Sequence, residues 1–444
     1  MKTPDQKAQK SRTKGRAEQK MQARPHLRFR RFSPLFRLLT ILGPGLIAAN
    51  AGNDAGGVAT YSSAGASYGY NLLWALAITT LFVGISQEMC ARMGAVTGKG
   101  LADLIREQFG VRLTVLAMLA LLVANTGVTV SEFIGVAASV QVLANDPHTP
   151  LIYLVVPLSG LALWWLITRG TYRRVEAIFL IISLGFLAYI PAAFAAHPDW
   201  HAVVRATIFP QFSIDQNYWP TAAALVGTTL SPYMLFYVQS AVADKGIGQD
   251  DYIYEKVDVY SSTIFANIIS AFMIIATGAT LYVRHQMVTT AADAAFALRA
   301  FAGQYASLLF GLGLFGASLL AGAVLPLTTA YGICEAFGFE RGVSRSFREA
   351  PVFHSLFTGL IILGVVISLI PGLPFIQVLI VLQNVNAAML PILLVLIILL
   401  VNNHRLMGRR ANGPITNILS WVMIVTITVL VIVWLLNALF GVVI

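Results

Sequence analysis

The chain has 444 residues, of which 57% are hydrophobic and only 11% are charged. Ordinary soluble domains carry about 25% charged residues, so this composition excludes a water-soluble globular protein. The formal net charge of +10 is concentrated in residues 1–31, where eleven Lys or Arg outweigh two acidic residues and leave +9.

Residues 1–34 form a polar, Gln-rich, basic segment ahead of the first apolar stretch. Such a segment is typical of a disordered cytoplasmic tail that contacts anionic lipid, and we favour this over nucleic-acid binding. A cleavable signal peptide is not expected, because the first apolar stretch contains Gly, Asn and Asp instead of a compact apolar core.

Apolar runs long enough to cross a bilayer as helices recur along the chain. We predict eleven spans, at residues 36–67, 70–95, 112–143, 149–168, 175–196, 218–242, 257–283, 303–337, 352–370, 373–401 and 415–441. With the basic tail inside, most Lys and Arg fall in cytoplasmic connections, which supports a cytoplasmic N-terminus and an external C-terminus. We expect short surface helices at 98–110 and 287–302 and an external loop at 198–217. The two cysteines, Cys90 and Cys334, exclude a disulfide framework.

The first span is interrupted by five glycines, two asparagines and an aspartate between residues 43 and 57. A carboxylate at membrane depth costs at least about 2.5 kcal/mol, and irregular backbone is tolerated there only where it lines a cavity or is buried in protein. Asp54 is therefore a candidate functional residue. The alternative is a capping role at the start of the second half-helix, and the two roles are compatible.

The sixth span contains a similar interruption, Gly-Thr-Thr-Leu-Ser-Pro-Tyr, at residues 227–233. Pro232 removes a backbone donor and frees carbonyls around Thr228 and Leu230 that are able to face an ion. A simple proline kink would explain this feature taken alone. However, breaks in spans one and six occupy corresponding positions of two five-helix halves, which indicates an inverted-repeat transporter.

Other polar residues lie at membrane depth. Glu132 is ionisable and in mid-span, so it is either a proton carrier or a structural carboxyl group. Glu88 precedes Arg92 by four residues, which predicts an i,i+4 ion pair. The amides and hydroxyls are each either structural or in contact with a substrate; they are Gln87, Asn125, Thr129, Ser131, Asn267, Gln383, Asn384 and Asn386.

Several motifs resemble the first two helices of the natural resistance-associated macrophage protein (NRAMP) family of divalent-metal transporters. They are Gly43-Pro-Gly, Asp54-Ala-Gly-Gly-Val-Ala-Thr60, Ala64-Gly-Ala-Ser-Tyr-Gly-Tyr70, Leu73-Trp74 and Ala91-Arg-Met-Gly-Ala-Val-Thr-Gly98. The resemblance implies an all-α, LeuT-like fold of eleven helices, with helices 1 and 6 broken. It further implies a tail at 1–34, one five-helix repeat at 35–200, its inverted copy at 201–404, and a linker with helix 11 at 405–444.

The chain departs from the family motifs at the positions that hold the ion. The first-helix motif Asp-Pro-Gly-Asn keeps its aspartate as Asp54, but its proline is Ala55 and its asparagine is Gly57. The sixth-helix motif Met-Pro-His is Ser231-Pro232-Tyr233, and a family alanine is replaced by Thr228. The acidic pair of the third helix corresponds to Thr129 and Glu132, and the ninth span contains no arginine.

These differences favour a hard cation. A thioether ligand favours softer transition metals, whereas hydroxyl, carboxylate and carbonyl oxygens suit Mg²⁺ or Mn²⁺, and smaller side chains leave room for retained water. The candidate cation-binding residues are Asp54, Asn53, Asn50, Gly57, Thr228, Ser231, Gln383 and Asn384, with Gly56 and Pro232 as helix breakers and Glu132 on a candidate proton path.

The sequence therefore predicts a transporter of a divalent cation by alternating access, with weak or absent proton coupling, in a bacterial inner membrane. No cofactor is expected besides the transported metal. An enzyme is not expected either, because the sequence contains no pattern of a nucleophile paired with a base. The open alternative is a carrier of the same fold for an amino acid or a metal chelate, because one carboxylate is a small ligand set for a bare dication.

Overall fold

The computed structural model describes residues 53–169, 184–213, 215–248, 252–343 and 345–440. The predicted basic tail and the first half of predicted span one lie outside the described residues, as does part of predicted span five. The described residues contain α-helices and short 3₁₀ turns and no β-strand. In lipid this is expected, because a helix satisfies its backbone hydrogen bonds internally.

The first half of the described chain contains helices α1 to α8 in chain order. They are α1 Ala55–Tyr68, α2 Leu73–Thr97, α3 Leu101–Ala144, α4 Ile152–Thr168, α5 Tyr189–Ala195, α6 Trp200–Ile208, α7 Tyr218–Thr229 and α8 Pro232–Lys245.

The second half contains helices α9 to α16. They are α9 Tyr252–Thr280, α10 Ala291–Phe296, α11 Arg299–Ala302, α12 Ala306–Phe337, α13 Pro351–Ser368, α14 Phe375–Val401, α15 His404–Met407 and α16 Pro414–Phe440.

Eight helical segments within the described ranges are long and apolar enough to cross a membrane. They are α2, α3, α7 with α8, α9, α12, α13, α14 and α16. Two shorter apolar helical segments are Ile152–Thr168, which coincides with predicted span four, and Gly185–Ala195, which coincides with the described half of predicted span five. Helix α1 coincides with the second half of predicted span one, so the described part of each predicted span contains a helix.

The connections agree with the predicted boundaries except in one place. Gly110, with φ of 73°, separates a short surface helix from the long span of α3, as expected for segment 98–110. Helices α10 and α11 lie in the segment 287–302, also as expected. The segment 198–217 is not simply a loop, because it contains α6. This helix is capped by Asp199, whose carboxylate accepts hydrogen bonds from the backbone N–H groups of His201 and Ala202.

The helices that carry the candidate residues pack against one another. Helix α1 contacts α9, α7, α14 and α3, while α3 packs along α12, α14 and α13. The predicted pair of Glu88 and Arg92 is confirmed, with 3.3 Å between carboxylate and guanidinium. Both cysteines are free and buried. The core is therefore a helical bundle around α1 and the junction between α7 and α8.

Candidate metal centre

Asp54 lies in extended backbone immediately before α1 and is 1% exposed. Its Oδ1 accepts a hydrogen bond from the backbone N–H of Gly57 at 2.7 Å. Asp54 is therefore the N-cap of α1, and the capping alternative is correct as a description of this oxygen. The other oxygen, Oδ2, is buried and has no hydrogen-bond partner in the described chain. One half of the carboxylate holds the helix, and the other half is available to a ligand.

Glu132 lies beside the same turn. The backbone N–H of Ala55 points to Glu132 Oε2 at 3.4 Å, and Ser131 Oγ lies 3.4 Å from Oε1. This close approach of α3 to α1 depends on Gly135, where a Cβ would overlap the side chains of Ala55 and Ser318. Two carboxyl groups, those of Asp54 and Glu132, therefore flank the first turn of α1 on the protein interior.

The predicted break in the sixth span is confirmed between α7 and α8. Leu230 and Ser231 have extended backbone with ψ of 91° and 139°, and Pro232 occupies the first turn of α8. At this position the proline begins a new helix instead of kinking a continuous one, since its missing N–H would have no intrahelical partner there. Ser231 Oγ points back to the carbonyls of Gly227 at 3.1 Å and Thr228 at 3.4 Å.

Helix α14 supports the break from the opposite side. Asn386 Nδ2 donates to the Gly227 carbonyl at 2.6 Å and to Ser231 Oγ at 2.9 Å. A Cβ at Gly227 would overlap the Gln383 carbonyl of α14, so this glycine permits the contact. A Cβ at Gly56 would likewise overlap the Gln383 side chain. Gln383 therefore lies next to α1 while its helix turn contacts α7.

Several buried polar atoms around these elements have no hydrogen-bond partner within the described part of the chain. They are Asn53 Nδ2, Asp54 Oδ2, Thr129 Oγ1, Thr228 Oγ1, Ser318 Oγ, Gln383 Nε2, Asn384 Oδ1 and Asn386 Oδ1. Buried polar groups are hydrogen-bonded in the great majority of cases. A cluster of exceptions next to a buried carboxylate indicates a site for a polar or charged ligand with its water.

The structure brings some predicted residues together and separates others. Asp54, Gly56, Gly57 and Glu132 meet at α1, and Gln383 reaches them from α14. Thr228 and Ser231 belong to the neighbouring break, and both are fully buried.

Three other residues were predicted as cation ligands, but the structure does not place them simply in the site. Asn53 Oδ1 accepts from Ser270 Oγ of α9 at 3.1 Å, so this asparagine also ties α1 to α9. Asn384 Nδ2 lies 3.3 Å from the Ile380 carbonyl of its own helix, and within the described residues no hydrogen bond joins Asn384 to α1. Asn50 lies outside the described residues.

The sequence left Asn386 open as either a structural amide or a substrate contact, and the structure shows that it supports the break. Its position three residues after Gln383 on a helix places the two on one face, which was the available signal. Sequence reasoning missed the contact between the hydroxyls of Tyr61 and Thr229, at 2.9 Å, which joins α1 directly to α7. Thr229 belongs to the interrupted motif of the sixth span but Tyr61 lies outside the first-span interruption, so the sequence offered no local reason to pair them.

The donor chemistry of the site is hard and mostly neutral. Across the described ranges no group of three or more His, Cys, Asp or Glu side chains is placed to hold a metal ion. The available ligands are carboxylate, amide, hydroxyl and carbonyl oxygens, which favour hard cations. A site with so few charged ligands suits an ion that keeps part of its hydration shell.

Comparison with known proteins agrees with this architecture. The chain is 27% identical over 401 residues to the divalent metal cation transporter MntH of Bacillus subtilis, covering 88% of this chain and 91% of that protein. The crystal structure of the Eremococcus coleocola manganese transporter superposes with a TM-score of 0.71 at 20% identity, covering 90% and 87% of the two chains. The structure of MhsT in complex with L-phenylalanine gives 0.58 at 15% identity, covering 91% and 98%.

These structural similarities establish an all-helical, LeuT-like fold, as predicted. The family described as natural resistance-associated macrophage protein-like matches residues 45–437. That match covers nearly the whole membrane domain, including the Asp54 turn and the break between α7 and α8. The chain therefore belongs to the natural resistance-associated macrophage protein family.

Proposed function

We propose that this protein is an integral membrane transporter of divalent metal cations, with a preference for a hard or partly hydrated ion such as Mg²⁺ or Mn²⁺. The observation that carries the proposal is the buried Asp54, with one carboxylate oxygen used as a helix cap and the other lacking a hydrogen-bond partner in the described chain. The similarity to divalent metal transporters and a manganese transporter supports the same substrate class.

The choice of ion rests on the side chains at the break. Ser231 and Thr228 offer hydroxyl and carbonyl oxygens, and the Gly227 carbonyl is already engaged by Asn386. Hard oxygen donors without a thioether do not discriminate in favour of softer transition metals. We therefore place Asp54, Asn53, Thr228, Ser231 and Gln383 around the ion, with Gly57 orienting the carboxylate. Asn50 and Asn384 remain predicted ligands without a contact that supports them.

Transport is proposed to proceed by alternating access with weak or absent proton coupling. Glu132 is a carboxyl group beside the Asp54 turn, and helix α13 contains no arginine to accompany it. Following internal pH during metal uptake tests this directly. Acidification in step with the metal would contradict uncoupled transport, and its loss in Glu132→Gln would identify the proton carrier.

The location is proposed to be a bacterial inner membrane, with the N-terminus in the cytoplasm, the C-terminus outside, and the basic tail against anionic lipid. The excess of Lys and Arg in the predicted inner connections supports this orientation. The repeat boundaries at 35–200 and 201–404 remain predictions. Alkaline phosphatase fused to the C-terminus would be active in the periplasm for the proposed topology and inactive for the reverse one.

A flux assay in proteoliposomes tests the substrate. Wild type, Asp54→Asn and the exposed-carboxylate control Glu349→Gln are compared with Mg²⁺, Mn²⁺, Fe²⁺ and Ca²⁺. We expect Mg²⁺ or Mn²⁺ uptake in wild type and the control, and at least a hundredfold loss in Asp54→Asn. Equal uptake by Asp54→Asn would remove the site assignment. Uptake of an amino acid or a metal chelate in place of the free ion would favour the alternative carrier.

A further inference from the structure

A second group of acidic side chains lies on α9, away from the breaks. Glu255, Asp258 and Ser262 are spaced at i, i+3 and i+7, which places them on one face of the helix. Their exposures are 0%, 2% and 3%. Buried carboxylates are almost always paired or bound to a metal, so this face needs a physical explanation.

The two carboxylates have different surroundings. Asp258 Oδ1 accepts a hydrogen bond from Ser262 Oγ at 3.1 Å. Both carboxylate oxygens of Glu255 are buried and have no hydrogen-bond partner anywhere in the described ranges. A completely buried side chain whose two oxygens both lack a hydrogen-bond partner, one helical turn from a second carboxylate, points to a ligand-binding position.

The nearby charges favour a cation. Within the described residues, the Asp258 carboxylate and the Lys245 ammonium, at the end of α8, are charged groups that act on Glu255. Lys245 interacts with both carboxylates, so the group carries a net charge of −1 when all three are ionised. Among these three groups two carboxylates face one lysine, and a cation bound between the carboxylates would neutralise the remaining negative charge.

We propose that Glu255 and Asp258, assisted by the Ser262 hydroxyl, form a second binding site for a hard divalent cation, separate from the Asp54 site. Carboxylates one helical turn apart have Cβ atoms about 5–6 Å from each other, and ligand distances of about 2.0–2.6 Å allow both to reach one ion. A bound dication competes with Lys245 for the two carboxylates. Because α8 starts at the break and ends at Lys245, occupancy of this site is linked to the position of α8.

The site is independent of the aspartate that carries the proposed function. The Asp54 site is near the break where α8 begins, whereas the Glu255 site is near Lys245, where α8 ends. Because the two sites are separate, binding stoichiometry distinguishes them. Equilibrium Mn²⁺ binding to the full chain in detergent, read by the loss of the free Mn²⁺ spin-resonance signal, and Mg²⁺ binding, read by elemental analysis after dialysis, are the measurements.

We expect two ions per chain in wild type and in the control Glu349→Gln, one in Glu255→Gln, one in Asp54→Asn and none in the double variant. Two ions in Glu255→Gln, or one in wild type with no change on that substitution, would show that Glu255 is held as a neutral acid and would overturn the second site. Two ions in Asp54→Asn with one in Glu255→Gln would overturn the Asp54 assignment and leave the α9 site supported.

A second variant, Asp258→Asn, distinguishes loss of the binding site from misfolding. In the Asp54→Asn background, Mg²⁺ should raise the apparent melting temperature, and Asp258→Asn should abolish that rise while leaving the metal-free melting curve cooperative. A Mg²⁺-dependent rise that survives Asp258→Asn overturns the proposal.

Discussion

Asn386 is the residue whose removal tests the geometry of the break most directly. It is fully buried, and its Nδ2 donates to the Gly227 carbonyl at 2.6 Å and to Ser231 Oγ at 2.9 Å. Asn386→Leu removes the donor at similar volume, so the effect arises from the hydrogen bonds and not from a cavity.

The expected loss in the free energy of unfolding depends on the hydrogen bonds that each acceptor retains. A net hydrogen bond contributes about 0.5–1.5 kcal/mol, and a buried acceptor left without a partner costs about 1–3 kcal/mol. The Gly227 carbonyl retains Ser231 Oγ at 3.1 Å, so only part of this penalty applies. We therefore expect a loss of about 2–3 kcal/mol in the free energy of unfolding.

In a chain of this size such a loss lowers the melting temperature by about 2–3 °C. Differential scanning fluorimetry in detergent measures this shift, and proteoliposome uptake should fall at least tenfold because Ser231 is no longer held. The control is Asn437→Leu, which removes a single exposed hydrogen bond to the Gln216 carbonyl at 2.8 Å. If Asn386→Leu melts and transports like Asn437→Leu, the bridge between α14 and the break does not support the site.

Three further outcomes are expected. Ser231→Met places a thioether at the break and should shift the uptake ratio toward Mn²⁺ over Mg²⁺, and an unchanged ratio in competition flux would exclude Ser231 from the ion. Gly56→Ala should reduce uptake at least tenfold because a Cβ there overlaps the Gln383 side chain, and uptake at the wild-type level would show that this close packing is not required. Burial alone would raise the pKa of Asp293, but hydrogen bonds from Thr290 and its neighbour hold that pKa below the usual value. This cap therefore stabilises the protein above the unfolded pKa of about 3.9 and weakens as pH falls through the lower folded value, so the melting-temperature difference between wild type and Asp293→Ala should shrink toward pH 3.

The sequence by itself determined the membrane class and the helical plan. Lipid offers no hydrogen bonds to the backbone, so apolar runs of this length have to be helices, and their ends follow from Gly, Pro and charged residues. The break at Pro232 and the exceptional position of Asp54 were likewise readable, because a carboxylate and irregular backbone at that depth are costly without a function.

Only the tertiary structure decided which side chains share the site. Asn386 reaches the break through space from α14, and Glu132 meets the first turn of α1 because Gly135 allows α3 to approach it. Asp54 also proved to be both a helix cap and a carboxylate with one unpaired oxygen in the described chain, which a motif does not distinguish. Residue type and periodicity fix the face of a helix, but contacts between helices far apart in sequence depend on packing, in which small residues set how closely the backbones approach.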